Sequence, residues 1–284
     1  MYMAYTKLEK LINIESDQEL LQFAKKYHLK GDGTKENPIR ISKFIIKQPS
    51  STQYDYFLIV MLNTTLYVII EDCIAVNAQI YLSNCKHVCI LNNYLHYIQS
   101  PAIKLSDCQH CTIMHNTIIS SSCINLTSAC SNNIVINNTC IVIGKKDIND
   151  GITCQFAHHH NIICNNYILL QFTEPKIFHV IQLDTNLKYQ LANAIMDNII
   201  VYKNPSQELA ELLKEEVFIY GIRLGELNTI LNNKIINLPY AFVCEDTSDI
   251  VAYNITYTIK SDRSMEYGKP KANFRYVYNV NANL

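Results

Sequence analysis

Tryptophan is absent from this 284-residue chain, and glycine and proline occur only seven times each. So few hinges and breakers exclude a flexible linker or a collagen-like polymer. Charge is scarce at 17% and balanced to a net −1, which argues against a nucleic-acid binder held by a general basic field. With 49% hydrophobic residues the chain is globular rather than disordered. No apolar run reaches the length of a membrane span, because FLIVMLNTTLYVII (57–70) is broken by Asn63, Thr64 and Thr65. The N-terminal MYMAYTKLEKLINIESDQ has no signal-peptide core. These absences predict no membrane insertion and a cytoplasmic, virion-associated or non-classically exported chain. No phosphate-binding loop and no dinucleotide-binding glycine pattern occurs, so no cofactor is expected.

Tyrosine (19) and cysteine (11) are abundant. An odd cysteine number without a secretory signal predicts reduced thiols. The four Asn-x-Thr sequons, at Asn63, Asn125, Asn137 and Asn254, read as by-products of an Asn-rich chain.

A repeat organises that asparagine. The pattern apolar-x-Asn-x-apolar recurs as LNNYL (91–95), MHNTI (114–118), INNTC (136–140), CNNYI (164–168), MDNII (196–200), LNNKI (231–235) and AYNIT (252–256), with IEDCI (70–74) as an earlier copy. The register residues are Asp72, Asn93, Asn116, Asn138, Asn166, Asn198, Asn233 and Asn254, spaced 21, 23, 22, 28, 32, 35 and 21. Three residues earlier every copy has Ile or Val. β-Branched residues beside a turn-forming Asn mark short strands and sharp corners. One such unit cannot bury its apolar face alone, but a stack can. A period near 22 with three short strands per turn predicts an all-β, right-handed parallel β-helix. The Asn column is expected to tolerate the left-handed corner conformation and to form an amide ladder.

Cysteine and histidine fall into the same frame. LSDCQHCTIMHNTI (105–118) has the C-x2-C spacing of a zinc site. Yet Cys85, Cys108 and Cys130 stand eight residues before their register Asn, and His87, His110, Asn132 and His160 stand six before. The motif is therefore a slice across repeating columns. Buried thiol stacking is the first reading; a disulfide between adjacent coils and a metal site are the alternatives. No metal is expected, with His158, His159 and His160 as the alternative ligand set.

The chain divides into an N-terminal strand and helix cap (1–38), a β-helix (39–258) with its longer coils at 139–233, and a C-terminal strand or tail (259–284). Ser16 with Glu19 forms a capping box, Leu20, Leu21, Ala24 and Tyr27 keep a helical period, and Gly31 is the expected stop.

The segment GDGTKENPIRI (31–41), followed by Asn-marked repeats, resembles the NosD-like, carbohydrate-binding and sugar-hydrolase type of β-helix within the pectate-lyase-like superfamily. The resemblance covers about residues 31 to 256. It implies polysaccharide lyases, hydrolases, epimerases, surface proteins or tailspikes as functional relatives.

Departures from the period point to where function sits. The three long coils carry GKKDINDG (144–151), QFTEPKIFH (171–179) and NPSQELAELLKEE (204–216), the last read as a helix from Ser206. Carbohydrate cleavage needs carboxylates on one face, or a base beside a cation. The candidates are Asp147, Asp150, Glu174, Asp184 and Asp197. Lys145, Lys146, Lys176, His179 and Arg223, with Tyr167 and Tyr202 as stacking surfaces, are candidate ligand contacts. The favoured function is a non-catalytic binding or scaffold protein for a glycan or protein partner. The alternative is a polysaccharide lyase, glycoside hydrolase or epimerase.

Overall fold

The computed structural model describes residues 5–8, 11–47, 57–143, 150–155, 159–171, 177–183, 193–203, 218–224, 229–236, 238, 240–244, 251–258 and 276–283. Each coil runs through three short strands, and every strand pairs in parallel with its equivalent one coil later. The first sheet contains Ile12–Ile14, Phe57–Leu62, Gln79–Ser83, residues 103–106 and 124–127, Ile152–Gln155, Ile177–Leu183, Phe218–Leu224 and Tyr240–Cys244. The second contains Ile39–Ser42, Val68–Glu71, Val88–Leu91, Thr112–Met114, Ile134–Ile136, Ile162–Cys164, Ala194–Met196 and Thr229–Leu231. The third contains Phe44–Lys47, Ile74–Val76, residues 94–97 and 117–120, Thr139–Val142, Tyr167–Leu170, Ile199–Tyr202 and Lys234–Ile236. The solenoid is a parallel β-helix.

Strand alternation sends one set of columns inward. In the second sheet this set is Ile41, Ile70, Ile90, Ile113, Val135, Ile163, Ile195 and Ile230, all buried. Like residues stack on like, so each rung repeats the packing of the one before.

The corner between the second and third sheets uses two adjacent residues for two tasks. Lys43, Asp72, Asn92, His115, Asn137, Asn165, Asp197 and Asn232 take the left-handed conformation, with φ between 51° and 60°. The next residue, Asn93, Asn116, Asn138, Asn166, Asn198 or Asn233, is buried and forms the ladder. The left-handed tolerance expected of the register Asn thus belongs to its predecessor. In the ladder, Asn138 donates Nδ2 to the carbonyls of Ile113 (2.9 Å) and Ile136 (3.1 Å) and to Asn166 Oδ1 (3.0 Å). Its own Oδ1 accepts from the backbone N–H and Nδ2 of Asn116, both at 3.0 Å.

The register shifts by one at both ends of the repeat. Ile70, not Ile69, pairs with Ile90, so Cys73 occupies the ladder place and donates its N–H to Asn93 Oδ1 at 2.9 Å. At the other end Leu231 pairs with Tyr253 and Lys234 with Thr256, so Asn254 aligns with Asn232 rather than Asn233. A second ladder, missed in the sequence, lines the corner between the first and second sheets. There Asn133, Asn161 and Asn193 are buried, and the N–H groups of Cys111, Asn133 and Asn161 donate to the next Asn Oδ1 at 2.9–3.0 Å.

The helix Asp17–Lys26 follows the first strand of the first sheet. Ser16 caps it through Glu19 N–H at 3.3 Å, and the Glu19 carboxylate accepts from Glu15 N–H at 2.8 Å. Leu20 and Ala24 join the core. Its stop differs from expectation: His28 adopts φ 51°, while Leu29 N–H reaches Ala24 O and His28 N–H reaches Lys25 O. That is a Schellman ending. Gly31 serves a close approach instead, since a Cβ there would lie 1.9 Å from Pro38 O. Near the C-terminus, Tyr276–Asn283 pairs in parallel with Val251–Thr258. Among the described residues no helix is long and apolar enough to cross a membrane.

Neighbouring variants separate the two corner tasks. Asn138→Ala leaves buried donors of Asn116 without an acceptor and is expected to cost about 3 kcal/mol. Asn137→Ala gives up only a left-handed preference, about 1 kcal/mol, and Asn137→Gly stays near wild type. Urea unfolding midpoints measure all three.

Candidate functional site

The C-x2-C slice is a core feature. Cys85, Cys108, Cys111 and Cys130 are buried and unoxidised. The Cys108 N–H donates to Cys130 Sγ at 3.4 Å. The thiols donate to carbonyls: Cys85 to Met61 and Ser83 at 3.3 Å, Cys108 to Ser106 at 3.2 Å, and Cys111 to Gln109 at 3.5 Å. The hydrogen bond with the Cys108 thiol, and then burial, hold the Cys85 and Cys111 thiols well above the ordinary range. Such thiols are protonated packing groups, not thiolate ligands. His87, His110, Asn132 and His160 form another left-handed corner column, at φ 55–58°. Tyr67 stacks on His87 at 4.3 Å, and His87 on His110 at 5.5 Å. Among the described residues no three His, Cys, Asp or Glu side chains are grouped to hold a metal. His159 and His160 meet edge to face at 5.5 Å, and His158 lies outside the described residues.

The first sheet carries a different surface. Its outward column runs Tyr81, Lys104, Asn125, Thr153, Gln182, Arg223. Just before this sheet, two successive residues per coil point inward: Cys123 and Ile124, then Gly151 and Ile152, then Val180 and Ile181. Counting back two from the pair Ile152–Ile181 places Asp150 beside His179, which pairs in turn with Tyr220. Gly151 permits this approach, because a Cβ on it would lie 2.5 Å from Val180 O.

Asp150 is only 8% exposed. Burial pushes its carboxyl up to about 6, while the positive charge of Arg223 pulls the other way. The same face holds two buried polar atoms without a hydrogen-bond partner, Asn125 Oδ1 and Thr153 Oγ1. A titratable acid, a guanidinium, an imidazole, amides and a hydroxyl thus occupy one face at ~4.8 Å rung spacing. Such a set can bind polar ligands and hold a proton near neutral pH.

Of the residues expected from sequence, this face brings together Asp150, His179 and Arg223. Asn125, Thr153 and Gln182 were missed; their only sequence signal is that they stand three residues before Ser128 or one residue after a buried Ile. Asp197 is elsewhere: it is an exposed left-handed corner residue whose N–H donates to Leu231 O. It fills an Asn role in that column rather than facing Asp150. Tyr202 is 1% exposed and belongs to the inward column of Tyr97, Val142 and Leu170. It packs as core, so the stacking role expected for it is set aside. Tyr167 is exposed on the third sheet, away from this face. Lys145, Lys146, Asp147, Glu174, Lys176 and Asp184 lie outside the described residues, as does the segment from Ser206.

No family model matches the chain, and no curated protein matches it. Among solved structures it is similar to the DFA-IIIase of Arthrobacter chlorophenolicus A6 in complex with GF2, at 8% identity and a TM-score of 0.42, over 77% of this chain and 53% of that one. It is also similar to the alginate lyase of Paenibacillus sp. str. FPU-7, at 11% identity and 0.40, over 94% and 100%. A third is the tailspike protein of E. coli bacteriophage HK620, at 8% and 0.41, over 93% and 62%. The architecture is a parallel β-helix. The chain spans about half the length of the DFA-IIIase. Likeness at this level describes coils, not chemistry.

Two outcomes follow from the burial of these groups. Native Cys85, Cys108, Cys111 and Cys130 should react with an aromatic disulfide reagent only as fast as the solenoid opens, and immediately in denaturant. Asp150 binds its proton more tightly folded than unfolded, so stability falls as pH rises from about 4 to 6, by about 3 kcal/mol at most. Asp150→Asn should flatten that stretch of the stability–pH curve, measured by urea titration at stepped pH.

Proposed function

We propose that this chain is a glycan-binding β-helix whose ligand lies along the outer face of the first sheet, over Asp150, His179, Gln182 and Arg223. The observation that carries this reading is a nearly buried, protonatable Asp150 beside His179, within electrostatic reach of Arg223 on the same face. An extended polymer suits a surface that repeats its donors and acceptors every ~4.8 Å along one line. An acidic unit suits the charge of Arg223. A protein partner is the other occupant of this class.

A second reading is supported by the same carboxyl. An acid held near 6 beside a cation is suited to proton transfer, which is what a carbohydrate-active enzyme would need. Catalysis of this kind would draw a second group from His179 or from the long coils.

The test is incubation of the protein with neutral and acidic polysaccharides, following retention and chain length. Binding without shortening, weakened about 10-fold or more by Arg223→Gln with an unchanged melting temperature, is the expected result. Retention of acidic glycans should rise as pH falls from 7.5 to 5, because Asp150 loses its negative charge over that range. Shortening that disappears in Asp150→Asn would replace the binding reading with the enzymatic one. Absence of both signals would remove the glycan.

A further inference from the structure

The corner between the first and second sheets gathers imidazoles. Lys86, Gln109, Ser131 and His159 align there in one column through successive parallel bridges. The next residue of each coil, His87, His110, Asn132 or His160, takes the left-handed conformation, and the last three of these are exposed. Asn132 shows that asparagine satisfies this backbone, yet histidine holds the other three places. Four of the nine histidines of the chain thus stand within three rung steps, a length of ~14 Å.

The charge around them is of one sign. The stack of Tyr67, His87 and His110 holds two imidazoles nearly parallel, with centroids 5.5 Å apart. The charged groups that bear on His87 are His110, Lys86 and Lys35. Burial first, and then these three, hold its proton affinity below the ordinary imidazole value. The carboxylates of neighbouring positions are turned to other donors. Asp17 accepts from Thr65 N–H at 2.9 Å and Thr65 Oγ1 at 2.7 Å, and Asp107 accepts from Ser106 Oγ at 2.9 Å and Ala129 N–H at 3.3 Å. Among the described residues Lys35, Lys86, His87, His110, His159 and His160 stand in no ion pair.

We propose that this corner binds the sulfate esters of a sulfated glycan laid along the solenoid axis, from Lys35 and Lys86 to His159 and His160. A polyanion supplies the negative charge that the corner lacks. The terminal oxygens of a sulfate accept hydrogen bonds from both columns at once. A sulfate ester also keeps its charge through the range near ~6.5 in which imidazole titrates. Each sulfate set against the corner relieves the repulsion among imidazolium groups, so binding takes up protons and tightens as the pH falls. A nucleic acid is the poorer occupant. Its bases need free aromatic faces, and the rings of Tyr67, His87 and His110 are stacked on one another. The corner uses none of Asp150, His179 and Arg223, so it stands or falls apart from the glycan face of the first sheet.

Retention of the full chain on immobilised dextran sulfate, with neutral dextran as control, tests this. The chain carries Asp150→Asn and Arg223→Gln, so that the first-sheet face does not contribute. The expected result is retention on dextran sulfate alone, about 10-fold or more tighter at pH ~5.5 than at pH ~7.5. Adding His87→Asn, His110→Asn and His160→Asn together keeps the corner conformation, as Asn132 does, and should cut that pH dependence to about 2-fold or less. Lys86→Glu, at an exposed position, should weaken retention about 10-fold at both pH values. Retention that is absent or indifferent to pH would overturn the proposal. So would a pH dependence that survives the triple variant, or a Lys86→Glu chain retained as before. Tighter retention on an immobilised single-stranded polynucleotide than on dextran sulfate would overturn it in favour of a nucleic acid.

Discussion

Every coil must turn sharply with its backbone inside the molecule, and a buried N–H without an acceptor costs 1–3 kcal/mol. The Asn ladders meet that demand rung after rung. One side chain oxygen takes both the backbone and side-chain N–H groups of the preceding rung, and the amide nitrogen satisfies two carbonyls and the next amide. Because each amide completes the one before it, rung position is fixed to a single residue. That fixes which residues face inward, and so it sets the isoleucine columns as firmly as the isoleucines themselves do. The corner acts as a pin for register, which a flat parallel sheet of like residues would otherwise leave free to slip.

The pin also explains where the chain could vary. The ladder corners keep their geometry in coils of 22 to 35 residues, so added length leaves elsewhere. In sequence it falls before Asp150 and before His179, and after Gln182 and Tyr202. Thr153, Gln182 and Arg223 on the Asp150 face stand on strands, which hold side chains more firmly than loops do.

Much of this architecture was legible, because an eightfold repeat averages out the ambiguity of any one copy. Errors appeared where the average gave no help. Asp72 looked like the register residue because it sits in an apolar-x-acid-x-apolar frame, but the pairing of Ile70 with Ile90 moves the ladder to Cys73. The second ladder escaped notice because its column mixes Val88 and Cys111 with Asn133, Asn161 and Asn193. Tyr202 was misjudged although alternation from exposed Ile199 already sends residue 202 inward. The neighbourhood of Asp150 and His179 needed the two inward residues at the bend, a local irregularity that period counting does not register. For the two ladders the deciding fact was a pairing between coils, and composition along the chain does not contain it.

Asp150 stands against the economy of the rest. Elsewhere the chain fills polar corner positions with Asn or leaves carboxylates in water, as with Asp197. At Asp150 alone among the described carboxylates is an ionisable acid nearly buried and held near 6. At neutral pH its charge works against folding, and asparagine would fit the same space. On the proposed glycan-binding reading, that carboxyl is the group the ligand face uses. His179 and Arg223, one and two rungs further on, share the face that carries Asp150. The solenoid supplies a rigid and repetitive support, and Asp150 is the buried charge that this support carries.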